Sequence, residues 1–273
     1  MAIISRIKTP RLYALNVERH RLIRWFFWLF GRRSFARPLS KVVPPISNRI
    51  FSHKSVLLRK LNNVDMRLQH NKVINLRLAA RCINETIIRP NQTFSLWRLV
   101  GRPTARRGFV AGLLLSQGEV LEGIGGGLCQ IANLLFWLFL HTPLTVTERH
   151  HHSFDAFPDS GRVLPFGSGA TIFYNYVDLQ ARNDTQLTFR IRLWVDDRFL
   201  RGEIMCSGEP AYSYKIIERN HRFVYDPSKG KWFRENDLFR RIRDRQTGQL
   251  VIEEHLLHNY SQVMYDYRPA EVN

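Results

Sequence analysis

With 273 residues, 44% of them hydrophobic, the chain can build one large or two modest cores, which excludes the disordered and fibrous classes. Its formal charge is +18, yet residues 1–60 hold fourteen Lys and Arg against the single acid Glu18, so the remaining chain carries only about +5, ordinary for a soluble domain. The surplus belongs to an N-terminal arm and asks for an anionic partner, whether phospholipid head groups, nucleic acid or acidic cell-wall polymer.

That arm, read as a basic helical region over 1–70, contains Trp25-Phe26-Phe27-Trp28-Leu29-Phe30 flanked by Arg21, Arg24, Arg32 and Arg33. Apolar anchors beside cations are the pattern of an interfacial membrane helix; the alternative is that the aromatics pack on the main domain while the arginines are solvated. Charges break the run well short of the ~20 apolar residues that a spanning helix needs. No clear apolar stretch with a small-residue cleavage site marks a secretory signal. The expectation is a cytoplasmic protein that sits peripherally on the inner face of an anionic membrane. Nucleic acid ranks last as a partner, because no recognised binding motif accompanies the charge. Pro38, Pro44 and Pro45 interrupt any long helix and read as a connector before Ile46.

From about Val73 the texture turns globular, and residues 71–207 read as the core domain. Leu76, Ala79, Ala80, Ile83 and Ile87 recur at helical spacing up to Arg89-Pro90, and Asn91-Gln92 turns the chain. An apolar run over 109–115, the turn-like Ser116-Gln117-Gly118 and a resumption at Val120-Leu121 read as a hairpin feeding a glycine-rich segment. After it Ile131, Leu134, Leu135, Leu138 and Phe139 keep helical spacing, and Phe136, Trp137 and Leu140 make the helix apolar almost all round, so it is a central buried helix. Stretches 171–177, 187–195 and 199–205 read as strands of an antiparallel meander, with turn chemistry at Asn183-Asp184-Thr185 and Asp196-Asp197. Residues 208–273, with possible strands over 212–217 and 222–225, form a C-terminal extension packed on the core. The fold class is α+β: a central buried helix that starts at a Gly-rich cysteine turn, packed on an antiparallel sheet.

The chemically pointed segment is Gly125-Gly126-Gly127-Leu128-Cys129-Gln130 at the start of that helix. A cysteine attacks as its thiolate, and a helix N-terminus favours an anion, which lowers a thiol's pKa. The three glycines permit positive φ and close backbone approach, so their N–H groups are candidates for an oxyanion hole. The bland reading is a tight strand-to-helix turn with Cys129 as a small packed residue. Gly123-x-Gly125-x-x-Leu128 misses the third glycine of a dinucleotide fingerprint and no Lys-Ser or Lys-Thr follows, which argues against nucleotide binding. Glu148-Arg149-His150-His151-His152-Ser153 supplies imidazoles as general bases; if the stretch is extended, His150 and His152 share a face and His151 points away. Asp155, Asp159 and Asp178 are the carboxylates available to orient a histidine. No cysteine or histidine stands two to four residues from Cys129, so a zinc site is disfavoured, and no cofactor is implied. Cys82 and Cys206 read as small buried hydrophobes, and three widely spaced cysteines give no disulfide framework.

Taken in order, the glycine-cysteine segment, the Glu148–Ser153 segment and Asp178-Leu179 with Asn183 resemble the VanW family of glycopeptide-resistance proteins, most strongly over residues 91–206. The resemblance implies a link to vancomycin resistance and a cysteine-dependent acyl transfer, of L,D-transpeptidase or amidase type, on peptidoglycan peptides. It implies Cys129 as nucleophile, His150 or His152 as proton shuttle and Asp178 as orienting acid. Gly125, Gly126, Gly127, Gln130, Arg149, Ser153 and Asn183 line the substrate in that reading, with the planar Arg149 fork holding a carboxylate. Gly169-Ala170-Thr171 departs from the Asp-Ala-Thr of many relatives. A non-catalytic binder of cell-wall precursor or anionic membrane is the competing expectation.

Overall fold

The computed structural model describes residues 10–38, 46–58, 65–116, 119–152, 154–155, 158 and 163–267. Ser153, Asp159 and the Pro44-Pro45 connector lie outside them. The fold is α+β, as its composition and periodicity imply.

Helix α1 (Pro10–Phe30) precedes two short strands, β1 (Ser34–Phe35) and β2 (Arg37–Pro38), and the nine-residue β3 (Asn48–Val56). Helix α2 (Met66–Ile83) starts earlier than hydrophobic spacing indicates, because the Asp65 carboxylate caps it by accepting from the Arg67 N–H. It also stops earlier, at Asn84, so Ile87 belongs to β4 (Thr86–Ile88) and not to the helix. After β5 (Gln92–Ser95) and the short α3 (Leu96–Val100), the expected hairpin is present as β6 (Ala111–Ser116) and β7 (Glu119–Ile124). It delivers the chain to α4 (Cys129–Leu140), in which Ile131 and every residue from Leu134 to Leu140 are buried.

Two sheets surround α4, one mixed through its parallel β1–β5 pair and the other wholly antiparallel. One has the order β1, β5, β10 (Gln180–Arg182), β8 (Thr145–Glu148); the other runs β2, β4, β11 (Phe189–Val195), β12 (Phe199–Cys206), β3. Within the second, β11 and β12 form the expected hairpin, and β3 extends it along eight antiparallel register pairs. Strands β1, β2 and β3 therefore belong structurally to the core sheets although their composition groups them with the arm. Gly202 of β12 lets α4 come close, since a Cβ there would stand 2.8 Å from Leu138 Cδ1.

The stretch 171–177 is not a strand. It makes only two isolated bridges, Thr171 with His150 and Phe173 with Val177, because two of its neighbouring backbone N–H groups are given to side chains of α4, as set out below. Past Gly208 the chain forms a long antiparallel sheet of β13 (Tyr212–Asp226), β14 (Lys231–Asp244) and β15 (Leu250–Val263). The two separate strands expected over 212–225 are one, bent at a bulge between Arg219 and Arg222. Ile216, Leu256 and Leu257 pack this sheet against the core, and β9 (Phe154–Asp155) joins its edge in parallel with β15.

Helix α1 inverts the usual amphipathic arrangement. Two of its cations turn inward, while Arg19 is exposed: Arg24 clasps Glu148 through two bonds of 2.7 and 2.6 Å, and Arg21 Nε donates to the Tyr174 carbonyl at 2.8 Å. Trp28 alone of the aromatic run is buried, while Trp25, Phe26, Phe27 and Phe30 are exposed. Packed aromatics with solvated arginines are therefore not what the protein has. Among the described residues, no helix is long and apolar enough to cross a membrane.

Candidate active site

The glycine turn is held by sterics. Gly125 and Gly127 have φ of 79° and 90°, values that side chains disfavour. At Gly126 the constraint is space: a Cβ would lie 2.1 Å from the Gly112 carbonyl carbon, so the turn and the hairpin touch backbone to backbone. Asn75 pins the turn, with Nδ2 donating to Gly126 O at 2.9 Å and to Val110 O at 3.0 Å. The N–H groups of Gly125 and Gly126 donate to the carbonyls of Val110 and Gly123, so they are spent on the turn and do not converge on an oxyanion. Donors for that purpose would have to come from the helix start itself.

Cys129 is the first residue of α4, with Leu128 at the capping position. The residue is half-buried against the core, and desolvation of the thiol pushes it above the ordinary thiol range despite the opposing N–H groups of Ile172 and of Cys129 itself. A helix start lowers a thiol, but here desolvation is the larger effect. Alkylation of Cys129 by iodoacetamide in the resting protein should accordingly keep rising with pH through pH 9; a plateau below pH 8 would contradict this environment.

One turn along the same helix face stands Asn133, whose Oδ1 accepts from the Ala170 N–H at 2.8 Å. Cys129 and Asn133 thus hold alternate N–H groups of the segment 170–172. On that segment Thr171 Oγ1 lies 2.7 Å from His152 Nδ1, and its N–H donates to His150 O at 2.8 Å. A Cβ on Gly169 would meet both Asn133 Oδ1, at 2.8 Å, and the His152 ring, at 3.3 Å. The aspartate found here in many relatives would therefore have to displace both. Residues 169–172 thus carry contacts to Cys129 and Asn133 of α4 and, through Thr171, to His152. The C-terminal sheet fixes this arrangement, since Ser261 Oγ donates to His152 O at 2.9 Å.

His150 goes elsewhere. Its Nε2 lies 3.3 Å from Glu148 Oε1, on the carboxylate that Arg24 clasps. Burial alone would raise Glu148, but the bonds from His150 and Arg24 outweigh it and bring the group down to about 2. His151 is exposed, and partial burial with the nearby Arg149 and His150 charges lowers it.

The remaining motif residues hold the frame. Asp178 is fully buried and accepts from Ser95 Oγ at 2.5 Å, Trp97 N at 3.0 Å, Leu179 N at 2.9 Å and Gln180 Nε2 at 3.2 Å. Burial raises it to about 6 against the Ser95 bond. Asn183 binds the carbonyls of Ile88 and Leu187 and accepts from Thr185, closing the turn before β11. Gln130 Nε2 ties α4 to β3 through Ser55 Oγ and Val56 O. Arg149 donates to the carbonyls of Gly169 and Gly167 at 2.9 and 2.6 Å, and burial lowers its guanidinium to about 10. Two arms of its fork therefore hold the 167–169 loop. Among the described residues no cluster of His, Cys, Asp or Glu is arranged to hold a metal.

Residues 71–205, which contain Cys129, Asn133, His152 and Thr171, match the model of VanW like proteins. The chain carries a VanW-like domain. It is 38% identical over 175 residues to the vancomycin B-type resistance protein VanW of Enterococcus faecalis, covering 64% of each chain. It is also 26% identical over 172 residues to the uncharacterized protein YoaR of Bacillus subtilis, covering 61% of this chain and 54% of that one. The matches thus span less than two thirds of the length of either relative. No solved structure gives a significant match.

Asn133 and Thr171 were not singled out from sequence, yet one of them left a signal. Asn133 and Gln130 are the polar residues of an otherwise apolar helix after Cys129, and Asn133 stands at the i+4 position that shares the cysteine's face.

Proposed function

We propose that this chain, with its VanW-like domain, contributes to vancomycin resistance as a cysteine-dependent acyl transferase of L,D-transpeptidase or amidase type, acting on a peptidoglycan peptide or its precursor. The observation that supports it is the meeting of Cys129, Asn133 and the His152–Thr171 pair on one segment. In this reading Cys129 Sγ attacks a peptide carbonyl carbon while its proton passes to His152 Nε2. The C–N bond then breaks, and the departing amine takes that proton. A second amine, or water in the amidase case, attacks the thioester, and the released sulfur regains a proton. A base suits a thiol whose burial resists ionisation, because the proton leaves as the S–C bond forms. Thr171 takes the orienting role assigned from sequence to Asp178: when His152 donates Nδ1–H to Thr171 Oγ1, the basic lone pair is on Nε2.

The reading is tested by turnover of a stem peptide, followed as release of its terminal D-amino acid. His152→Ala should lower the rate about 10²-fold or more. Thr171→Val should lower it about tenfold through the loss of one neutral hydrogen bond. His150→Ala should act weakly; the reverse order of the two histidines would overturn the assignment. Burial of the thiol favours a second reading, a non-catalytic binder of cell-wall precursor, in which binding survives all three changes and no turnover is found.

A further inference from the structure

The basic arm and the core together build a cleft that the proposed chemistry leaves unused. Strand β1 pairs in parallel with β5, and β2 pairs with β4, so residues 33–37 strap across the edges of both core sheets. This places Arg33 and Arg37 beside Arg89, which follows β4, and Arg98 of α3. With Ser34, Phe35 and Gln92 they line a cleft of about 350 Å³. Four of its seven lining residues are arginines, and it contains no carboxylate. Among the described residues none of the four forms an ion pair, whereas Arg182, Arg192 and Arg201 elsewhere in the core each bind a carboxylate. Arg33 and Arg98 are held by neutral groups: Arg33 Nη1 reaches Gln180 Oε1 at 3.4 Å, and Arg98 reaches Trp28 O at 3.3 Å with its guanidinium 4.5 Å over the Phe35 ring. Partial burial, and after it the Arg37 charge, pull the Arg98 guanidinium below its usual range. Packing arginines together without a counter-charge is unfavourable in the empty protein, and an anion that accepts several planar forks relieves it.

What kind of anion follows from the neighbouring surface. Helix α1 ends at Phe30, three residues before Arg33. With Arg21, Arg24 and Trp28 turned onto the core, its opposite face presents Leu12, Leu15, Leu22, Phe26, Leu29 and Phe30, each more than half exposed. That stripe follows helical spacing along α1, interrupted by the exposed Arg19 between Leu15 and Leu22, and ends three residues before Arg33 of the cleft. An apolar stripe parallel to a surface with cations at its end is how a helix lies in a lipid interface, apolar face among acyl chains and cations at the level of the phosphates.

We propose that the Arg33–Arg37–Arg89–Arg98 cleft binds the phosphate of an anionic lipid head group while the outward face of α1 is seated in the same membrane leaflet. This site is independent of the acyl-transfer reading, since none of its residues touches the Cys129 segment. It adds a specific phosphate pocket to the general attraction that a +18 chain has for anionic surfaces.

The test is co-sedimentation of the full chain, at about 0.15 M salt, with vesicles of phosphatidylcholine alone or mixed with phosphatidic acid, whose monoester phosphate is exposed. The wild type should bind the phosphatidic acid vesicles at least tenfold more tightly. Arg37→Gln with Arg89→Gln should remove most of that preference, whereas Arg81→Gln with Arg106→Gln, an equal change in charge away from the cleft, should leave it. Phe26→Ser with Phe30→Ser should weaken binding to both vesicle types at least tenfold. Equal losses from the two arginine pairs would reduce the effect to net charge and overturn the pocket. Arginine-dependent binding of inorganic phosphate or pyrophosphate without vesicle association would overturn the lipid as its source. A wild-type dimer that the Phe pair converts to monomer, with no vesicle binding, would assign the stripe to a second copy of the chain and overturn the proposal.

Discussion

Replacing Cys129 by alanine should abolish acyl transfer, with a loss of about 10³-fold or more, and should remove any contribution to vancomycin resistance. The fold should survive. Cys129 contributes a single sulfur at the rim of α4, and the turn before it is held by Asn75, by the Gly112–Gly126 approach and by the Gly125 and Gly126 amides, none of which needs the thiol. Trimming so small a buried side chain costs on the order of 1–2 kcal/mol. Thermal unfolding should therefore shift by only a few degrees while activity disappears. A large stability loss together with the activity loss would mark Cys129 as a packing residue. Retention of activity would dismiss it as a nucleophile.

Asp178→Ala should do the reverse, weakening the protein as a whole. The carboxylate gathers donors from β5, from the first turn of α3 and from β10, and all of them are buried with it. Removing the acceptor strands Ser95 Oγ, the Trp97 N–H and the Gln180 amide without water to replace it, a loss of about 3–5 kcal/mol. For a chain of this length that corresponds to a fall in Tm of roughly 10 °C. The pH dependence has a definite sign. The folded Asp178 carboxyl sits at about 6, above its ordinary value of 3.8, so its contribution is fully present below pH 3.8 and is lost as pH rises through about 6. Asp178→Asn removes that titration, so the stability gap between wild type and Asn should narrow between pH 4 and pH 7. Glu148 acts oppositely: held at about 2 against an ordinary 4.5, it stabilises above pH 4.5, and that contribution is lost as pH falls through about 2. Urea unfolding of wild type and the two Asp178 variants at pH 4, 5.5 and 7 measures the Asp178 trend. A gap that widens with pH would contradict the buried carboxyl described here.

These residues also mark what was legible in the sequence. The hairpin, the glycine turn and the cysteine at a helix start followed from short-range patterns, namely alternation, turn residues and helical spacing, and the structure has all three. The role of each polar motif residue did not follow, because a residue that touches substrate and one that holds a segment in place leave the same trace in a sequence. Asp178, Asn183, Gln130 and Arg149 turn out to bind their own backbone or neighbouring strands. Thr171 was read as the start of a strand, since β-branched and aromatic residues dominate 171–177. Contacts from helix α4, far away in sequence, took the backbone donors a strand would have used. The inverted α1 was hidden for a similar reason: only the partners Glu148 and Tyr174, more than a hundred residues on, tell which face of a helix with arginines and aromatics turns inward. The start of α2 at Met66 was missed because its capping residue, Asp65, precedes the periodic apolar positions.

The proposed reaction requires Cys129 to form a covalent bond to its substrate. Intact-protein mass spectrometry after incubation with a peptidoglycan stem peptide, quenched in acid, tests this directly. The prediction is a mass increase equal to the peptide acyl group, located on Cys129 by digestion, released by hydroxylamine as a thioester is, and enriched in His152→Ala if deacylation slows more than acylation. An unmodified Cys129 under conditions where the peptide is turned over would contradict the central claim.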